Sequence, residues 1–142
     1  MEKMNLHEIK KETEKNASEV FKKHNVFFAF GNDQVNKGIE DLKQKGIIKD
    51  SKELTHVFGG AICPKVNVKE YIKDLSDVYE NGRKKEVENV GAKTIIKYEL
   101  ANHEFTYTYD LTDTLTALEP YNFSSELIEE TVKEVLRDYK EE

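Results

Sequence analysis

Apolar side chains recur at intervals of three and four residues through most of this chain, and no other feature limits its fold as strongly. Asn67 followed by Glu70 resembles the capping box that begins a helix. An apolar stripe at helical spacing comes directly after it, formed by Val68, Tyr71, Ile72, Leu75 and Tyr79. Near the C-terminus the same spacing joins Ile128, Val132, Val135 and Tyr139. The pattern predicts a protein that is mostly helical.

Shorter stripes predict further helices, and polar caps and glycines mark their ends. Residues 6–24 form an amphipathic pattern with a thin apolar face. Ser, Thr, Asn and Asp side chains can accept hydrogen bonds from the first free amides of a helix, and glycine often ends one. The predicted helix starts are Asn32 or Asp33, Thr112 or Asp113, and Ser124 or Ser125. The predicted stop of the second helix is Gly46. Gly82 is either a stop or a weak point of the long helix, and residues 83–90 can continue that helix to Gly91.

Three apolar runs lack helical spacing and predict the strands of a small sheet. They are VFFAF at 26–30, HVFGGAIC at 56–63 and FTYTY at 105–109. The paired glycines Gly59 and Gly60 predict a bend in the second run. Residues 94–109 fit either a hairpin or a helix that passes into the FTYTY strand, and we favour a helix over residues 92–104. The predicted fold class is α+β, a single mostly helical domain packed on a small β-sheet.

The length and composition fit one domain with a modest core. A chain of 142 residues is long enough to bury a core, but only 37% of its residues are hydrophobic and 35% are charged. Nothing in the sequence resembles a linker, so we predict one domain over residues 1–142, with the helix at residues 1–24 peripheral to it.

The net charge of −6 disfavours direct binding to nucleic acid, which needs a basic surface. Mimicry of DNA is also disfavoured, because lysines such as Lys10 and Lys84 are mixed among the acidic residues. Cys63 is the only cysteine, so no internal disulfide can form. The start MEKMNLHEIKKETEK lacks a signal core, and no apolar run approaches a membrane span. We therefore expect a cytoplasmic protein without a membrane partner.

The stretch YELANHEF at 98–105 gathers the residue types of an active site. Glu99 and His103 are four residues apart and would share a helix face, but no HExxH or CxxC motif accompanies them. We favour a helix end closed by Asn102 and His103, with Tyr98 and Asn102 facing the core. Lone Cys63 beside Pro64 predicts an inert core thiol. No catalytic residue, metal ligand or cofactor is assigned.

The remaining polar and aromatic side chains of this region predict a contact surface. The candidate binding residues are Glu99, Asn102, His103, Glu104, Tyr107, Tyr109 and Asp110. One alternative is a small-molecule or nucleotide-binding module, or a weak metal-dependent enzyme, built on Glu99, His103, Glu104 and Asp110. A further alternative is a structural protein that self-associates through the apolar stripe of the terminal helix, as a homo-oligomer.

Short motifs resemble a family of short uncharacterised proteins, a domain of unknown function, encoded by phages, prophages and other mobile elements. The motifs are NVFFAFGNDQVNKG at 25–38, GGAICPKVNV at 59–68 and YELANHE at 98–104, with TYD and TDTLTAL following it, and the resemblance covers roughly residues 25–119. This sequence departs from the family near Gly31 and Val35. The resemblance implies a phage or mobile-element context. The lack of a reaction constellation and the acidic, highly charged surface favour a non-enzymatic accessory protein that binds a host protein, such as a basic nucleic-acid-handling enzyme. The resemblance alone implies the anti-defence role, inhibition of a host defence nuclease. It carries over no catalytic residue.

Overall fold

A computed structural model describes residues 3–141, and most of them are helical. The helices are α1 (Leu6–Lys23), α2 (Asn32–Gln44), α3 (Val68–Val90), α4 (Ala92–Asn102), α5 (Phe105–Thr108), α6 (Thr112–Leu118) and α7 (Ser125–Glu141). The strands are β1 (Phe27–Phe28), β2 (Leu54–His56) and β3 (Ala61–Pro64). A mostly helical α+β fold with a small antiparallel sheet is therefore confirmed.

The described residues divide into two compact units. One comprises residues 3–10 and 82–141, and the other comprises Lys11–Asn81. We call them the acidic unit and the sheet unit, because the first holds the acidic segment described below and the second holds the three strands. A single domain over residues 1–142 stays a prediction, and residues 1, 2 and 142 lie outside the described part.

The sheet unit is built around β3, which is buried along its whole length. The strand order is β1-β3-β2, with both pairings antiparallel and with Phe27 opposite Ile62 and Thr55 opposite Cys63. Gly59 and Gly60 have φ angles of 70° and 78°, so the predicted bend lies between β2 and β3. Beneath the sheet a cluster of buried side chains comprises Ala17, Val20, Cys63, Tyr71 and Leu75.

Cys63 lies in this core with no exposed surface, and its Sγ is 3.4 Å from the carbonyl oxygen of Pro64. Burial raises the pKa of the thiol. An apolar site that disfavours the thiolate makes the thiol unreactive. The prediction of a core cysteine is confirmed.

The C-terminal ends of α1 and α2 use the same device. Asn25 and Gly46 adopt left-handed φ angles of 56° and 75° just after these helices. In each case the next residue donates its amide back to the helix, Val26 to the carbonyl of Phe21 and Ile47 to that of Leu42. The predicted stop at Gly46 is thus confirmed.

The helices α2 and α6 begin at Asn32 and Thr112, but the predicted capping residues are wrong by one or two positions. The residue that caps α2 is Gly31 in an extended conformation, with no side-chain hydrogen bond, and Asn32 already belongs to the helix. At α6 the side chain that accepts the first amide belongs to Asp110, whose Oδ1 lies 2.9 Å from the backbone nitrogen of Thr112. The predicted cap of α7 is confirmed, because Ser124 Oγ accepts the amide of Leu127 at 3.1 Å.

In the sheet unit, a buried histidine joins α1 to α3. His24 Nε2 lies 2.8 Å from Asp74 Oδ2, and Lys23 Nζ lies 2.9 Å from the same oxygen. The hydrogen bonds from His24 and then Lys23 lower the pKa of the Asp74 carboxyl. The side-chain amide of Asn67 also donates to the carbonyl of His24 at 3.1 Å.

The core of the acidic unit lies where α4 contacts α6 and α7. Its buried members are Ile95, Ile96, Leu100, Phe105, Leu118 and Val132. The favoured helix over residues 92–104 is confirmed, since α4 ends at Asn102. Gly82 does not stop α3, which continues to Val90 and ends before Gly91, where φ is 82°.

The predicted FTYTY strand is wrong, because Phe105–Thr108 forms the single helical turn α5. Glu104 and Tyr109 flank this turn with left-handed φ angles of 52° and 55°. Phe105 inserts into the core, while the neighbouring tyrosine and threonine side chains remain at the surface. The alternation of aromatic residues with threonine therefore does not mark a strand. Of the three aromatic side chains only that of Phe105 is buried, and it anchors a helical turn. The sheet takes its third strand from the hairpin of β2 and β3 instead.

Candidate binding surface

The YELANHEF segment turns its faces opposite to the prediction. Tyr98 is 40% exposed and Asn102 is exposed, while Glu99 is 93% buried beside Ile95 and Leu100. The predicted inward direction of Tyr98 and Asn102 is therefore wrong. The physical reason is that the aliphatic residues of α4 define the face that packs on α6 and α7, and Glu99 lies between them.

His103 ends α4, as predicted. Its backbone amide donates to the carbonyl of Glu99 at 3.1 Å, and its ring Nε2 lies 3.3 Å from Glu99 Oε2. The two atoms are close, but Nε2 is buried and not aligned for a hydrogen bond with any described group. Because the two groups are close but poorly aligned, they form a loose ion-pair contact, with a charge on histidine only when the ring is protonated.

Sequence reasoning missed a second buried carboxylate in the acidic unit. Glu86 on α3 is 5% exposed, and both its carboxylate oxygens accept the hydroxyl of Tyr121, at 3.0 and 3.2 Å. Lys10 Nζ lies 3.1 Å from Glu86 and also stands over the ring of Tyr98 at 4.9 Å. Burial and the neighbouring charge of Glu86 raise the pKa of Tyr121, which keeps its hydroxyl as a donor. This network satisfies a buried charge, as buried carboxylates require.

The α5 turn carries most of the predicted contact residues on the surface. Tyr107 is 82% exposed and Tyr109 is 62% exposed, and the carboxylates of Glu104 and Asp110 are exposed beside them. The ring of Tyr109 rests edge-on against Phe105, with centroids 6.1 Å apart. Left-handed backbone at a non-glycine residue costs energy, so the buried Phe105 must hold this turn in place.

The positions of these carboxylates do not support the alternative of a weak metal-dependent enzyme. Asp110 accepts both the amide and the hydroxyl of Thr112, at 2.9 and 2.6 Å, and these bonds lower the pKa of its carboxyl. Glu99 is buried, whereas Glu104 and Asp110 are exposed. Over residues 3–141, no group of three or more His, Cys, Asp or Glu side chains is placed to hold a metal ion.

The negative charge of the chain is concentrated in one segment, which the net charge of the whole chain does not show. Residues 98–132 contain eight of the 28 acidic residues and none of the 22 Lys and Arg, so this segment carries −8. The remaining 20 acidic residues against 22 basic ones leave the rest of the chain at +2. We call residues 98–132 the acidic segment. A count in a moving window along the sequence would have found it.

Four carboxylates of the acidic segment are exposed and take part in neither an ion pair nor a side-chain hydrogen bond among residues 3–141. They are Glu104, Asp113, Glu119 and Glu126. Asp113 and Glu126 lie in the first turns of α6 and α7, where the helix dipole stabilises a negative charge. The unpaired charges nevertheless remain at the surface, where a cationic partner can reach them.

Comparison with known proteins identifies a family for the chain and nothing more specific. Residues 9–142 match the model of a family of unknown function (DUF7659), and this match extends beyond residues 25–119, which the resemblance covers. The resemblance to a domain of unknown function is thus confirmed. No curated protein and no solved structure matches the chain. Separately, within residues 3–141 no helix is both long enough and apolar enough to cross a membrane.

Proposed function

The chain belongs to the family of unknown function DUF7659, and we propose that it is a non-enzymatic protein that binds a basic protein partner. One observation carries the proposal: the acidic segment holds eight carboxyl groups and no Lys or Arg, and it exposes the rings of Tyr107 and Tyr109. Separated charge of this kind raises association rates and selects partners of opposite sign.

The exposed tyrosines suit the same kind of partner. Tyrosine is enriched at the energetic centres of interfaces because it buries a large ring with few rotatable bonds. A ring face also attracts the cationic head of Lys or Arg. The ring of Tyr107 is 82% exposed, so it contributes little to the stability of the fold while it leaves apolar surface in contact with water. A basic partner would cover this ring and pair with the neighbouring carboxylates.

The proposal is tested by neutralising the surface without removing any internal contact. The test variant changes the four unpaired carboxylates, as Glu104→Gln, Asp113→Asn, Glu119→Gln and Glu126→Gln. The matched control changes four exposed carboxylates of the sheet unit, as Glu14→Gln, Glu19→Gln, Asp33→Asn and Glu40→Gln. Both variants have a net charge of about −2, so they differ only in where the charge is lost.

Each protein is immobilised and exposed to nuclease-treated bacterial lysate. We expect the unchanged protein and the control to retain one stoichiometric basic protein, and the test variant to bind it roughly tenfold more weakly. Tyr107→Ser should weaken binding as well, and its melting temperature should stay unchanged because the ring is exposed. Equal loss in test and control variants, or the absence of any stoichiometric partner, would contradict the proposal.

A narrower form of the proposal makes the partner a nucleic-acid-handling enzyme of a host cell, inhibited by a protein of a phage or mobile element. Its support is the YELANHE resemblance together with the negative charge, because enzymes that hold nucleic acid have basic surfaces. If the retained partner is a nuclease, the purified chain should inhibit it in a cleavage assay, and the test variant should not. A retained partner without nuclease or other nucleic-acid activity would rule out this narrower form.

A further inference from the structure

A cleft in the acidic unit opens beside α6 and the beginning of α7. Its volume is about 340 Å³. Four apolar side chains line it, Leu115, Leu118, Phe123 and Ile128, together with the polar side chains of Thr116, Glu119 and Asn122. All seven belong to the acidic segment. The volume is near the lower limit of sites that hold small groups.

The walls of the cleft are held by contacts outside it. Leu118 is 2% exposed and belongs to the buried core. The ring of Phe123 stacks on that of Tyr121, with centroids 5.2 Å apart and planes inclined by 20°. Asn122 joins these two aromatic residues in a left-handed conformation, with φ of 58°. The apolar surface is therefore fixed before any partner arrives.

Among the described residues that line the cleft, the charged side chain is an acidic one, Glu119. Glu119 is exposed at its edge, forms no ion pair among residues 3–141, and no Lys or Arg lines the cleft. An apolar wall beside a free carboxylate matches a side chain with an aliphatic stem and a cationic head. Arg and Lys have this form, since both bury their methylene groups while the charged end remains polar.

We propose, on the basis of the binding role argued above, that this cleft receives an arginine side chain of the basic partner. The methylene stem packs against Leu115 and Ile128, and the guanidinium donates to both carboxylate oxygens of Glu119. Arginine fits better than lysine because its planar fork can pair with both oxygens and can lie on the Phe123 ring.

The test uses two synthetic peptides of equal length and charge, one alternating arginine with serine and the other alternating lysine with serine. Affinities are measured by titration calorimetry, and contacts by amide chemical shifts of the isotope-labelled chain. We expect about tenfold tighter binding of the arginine peptide. The largest shifts should occur at the amides of Leu115, Glu119, Asn122 and Phe123.

Two variants and one control test whether the preference for the arginine peptide depends on the cleft. Glu119→Gln and Leu115→Ser should each reduce the arginine preference to about twofold or less, because one removes the carboxylate and the other an exposed part of the apolar wall. Glu126→Gln removes an equal charge outside the cleft and should keep the preference.

The outcomes separate this inference from the proposed function. If both peptides bind equally well, or if Glu126→Gln abolishes the preference as Glu119→Gln does, the arginine site is wrong and the general affinity for basic partners stands. If neither peptide binds, both the arginine site and the proposed function are contradicted. An arginine preference that only the two cleft variants reduce supports both.

Discussion

Removal of one hydroxyl, in Tyr121→Phe, tests the buried network most directly. The phenol donates to both oxygens of Glu86, which is 5% exposed, while the ring itself stacks on Phe123 and is preserved by the substitution. A hydrogen bond to a charged group contributes roughly 1.5–3 kcal/mol. Glu86 keeps its ion pair with Lys10, so we expect a loss of about 2 kcal/mol in the free energy of unfolding.

The assay is urea unfolding followed by circular dichroism at neutral pH. Tyr107→Phe is the matched control, since it removes the same hydroxyl from a ring that is 82% exposed, and it should change stability by less than about 0.5 kcal/mol. The melting temperature of Tyr121→Phe should fall by about 5 °C, because 1 kcal/mol corresponds to roughly 2–4 °C in a chain of this size.

A double-mutant cycle assigns this loss to the pair. In a Glu86→Gln background the charge is absent, so Tyr121→Phe should cost about 1 kcal/mol, a typical value for a neutral hydrogen bond. If Tyr121→Phe costs no more than Tyr107→Phe in the unchanged protein, the phenol does not hold the buried carboxylate and this reasoning is refuted.

Three further substitutions test other parts of the fold. The hydrogen bonds that lower the pKa of Asp74 make its carboxylate stabilising above the ordinary carboxyl pKa near 3.8, and that contribution disappears as the pH falls through the lowered value. Asp74→Asn should therefore reduce the urea midpoint at pH 7, and equal midpoints at that pH would refute this. A Cβ at Gly38 would overlap the ring of Phe27, so Gly38→Ala should destabilise by about 1–3 kcal/mol, while Gly31→Ala, with open space around it, should cost less in the same assay, since only the weaker capping preference of alanine opposes it. Ser124→Ala should cost about 1 kcal/mol in thermal unfolding through loss of the α7 cap, and an unchanged melting temperature would show that the cap contributes nothing.

The helices could be predicted from sequence because their signals are local. The apolar stripe after Asn67 and the cap at Ser124 each need only neighbouring residues, and α3 and α7 form where those signals lie. Of the two alternatives at Gly82, a stop or a weak point inside a longer helix, the second is confirmed, because packing in the interior of α3 outweighs the modest intrinsic cost of a helical glycine.

The strand predicted at FTYTY failed because strands need partners and helical turns do not. Alternating aromatic and β-branched residues fit a pleated surface, yet that preference depends strongly on context. Here Phe105 packs into the helical core, and β1 pairs with Ala61 and Ile62 of the β2–β3 hairpin. The residues of a single strand do not show which other strand it pairs with, so the pairing of β1 with β3 could not be predicted from the sequence.

The binding role of the candidate surface stays a prediction, and only the exposure of its residues can be compared with the structure. Glu104, Tyr107, Tyr109 and Asp110 lie at the surface, whereas Glu99 is buried because Ile95, Ile96 and Leu100 define the buried face of α4. The pairing of Glu86 with Tyr121 joins positions 35 residues apart, which spacing alone cannot reveal.

The position of Cys63 provides a reporter for motion in the sheet unit. Its thiol has no exposed surface, so a thiol reagent can modify the chain only after the sheet separates from α1 and α3. The rate of modification under native conditions then measures how often this core opens. A cysteine at an exposed position reacts at once, so a Tyr107→Cys variant can carry a dye there while Cys63 records the opening of the sheet.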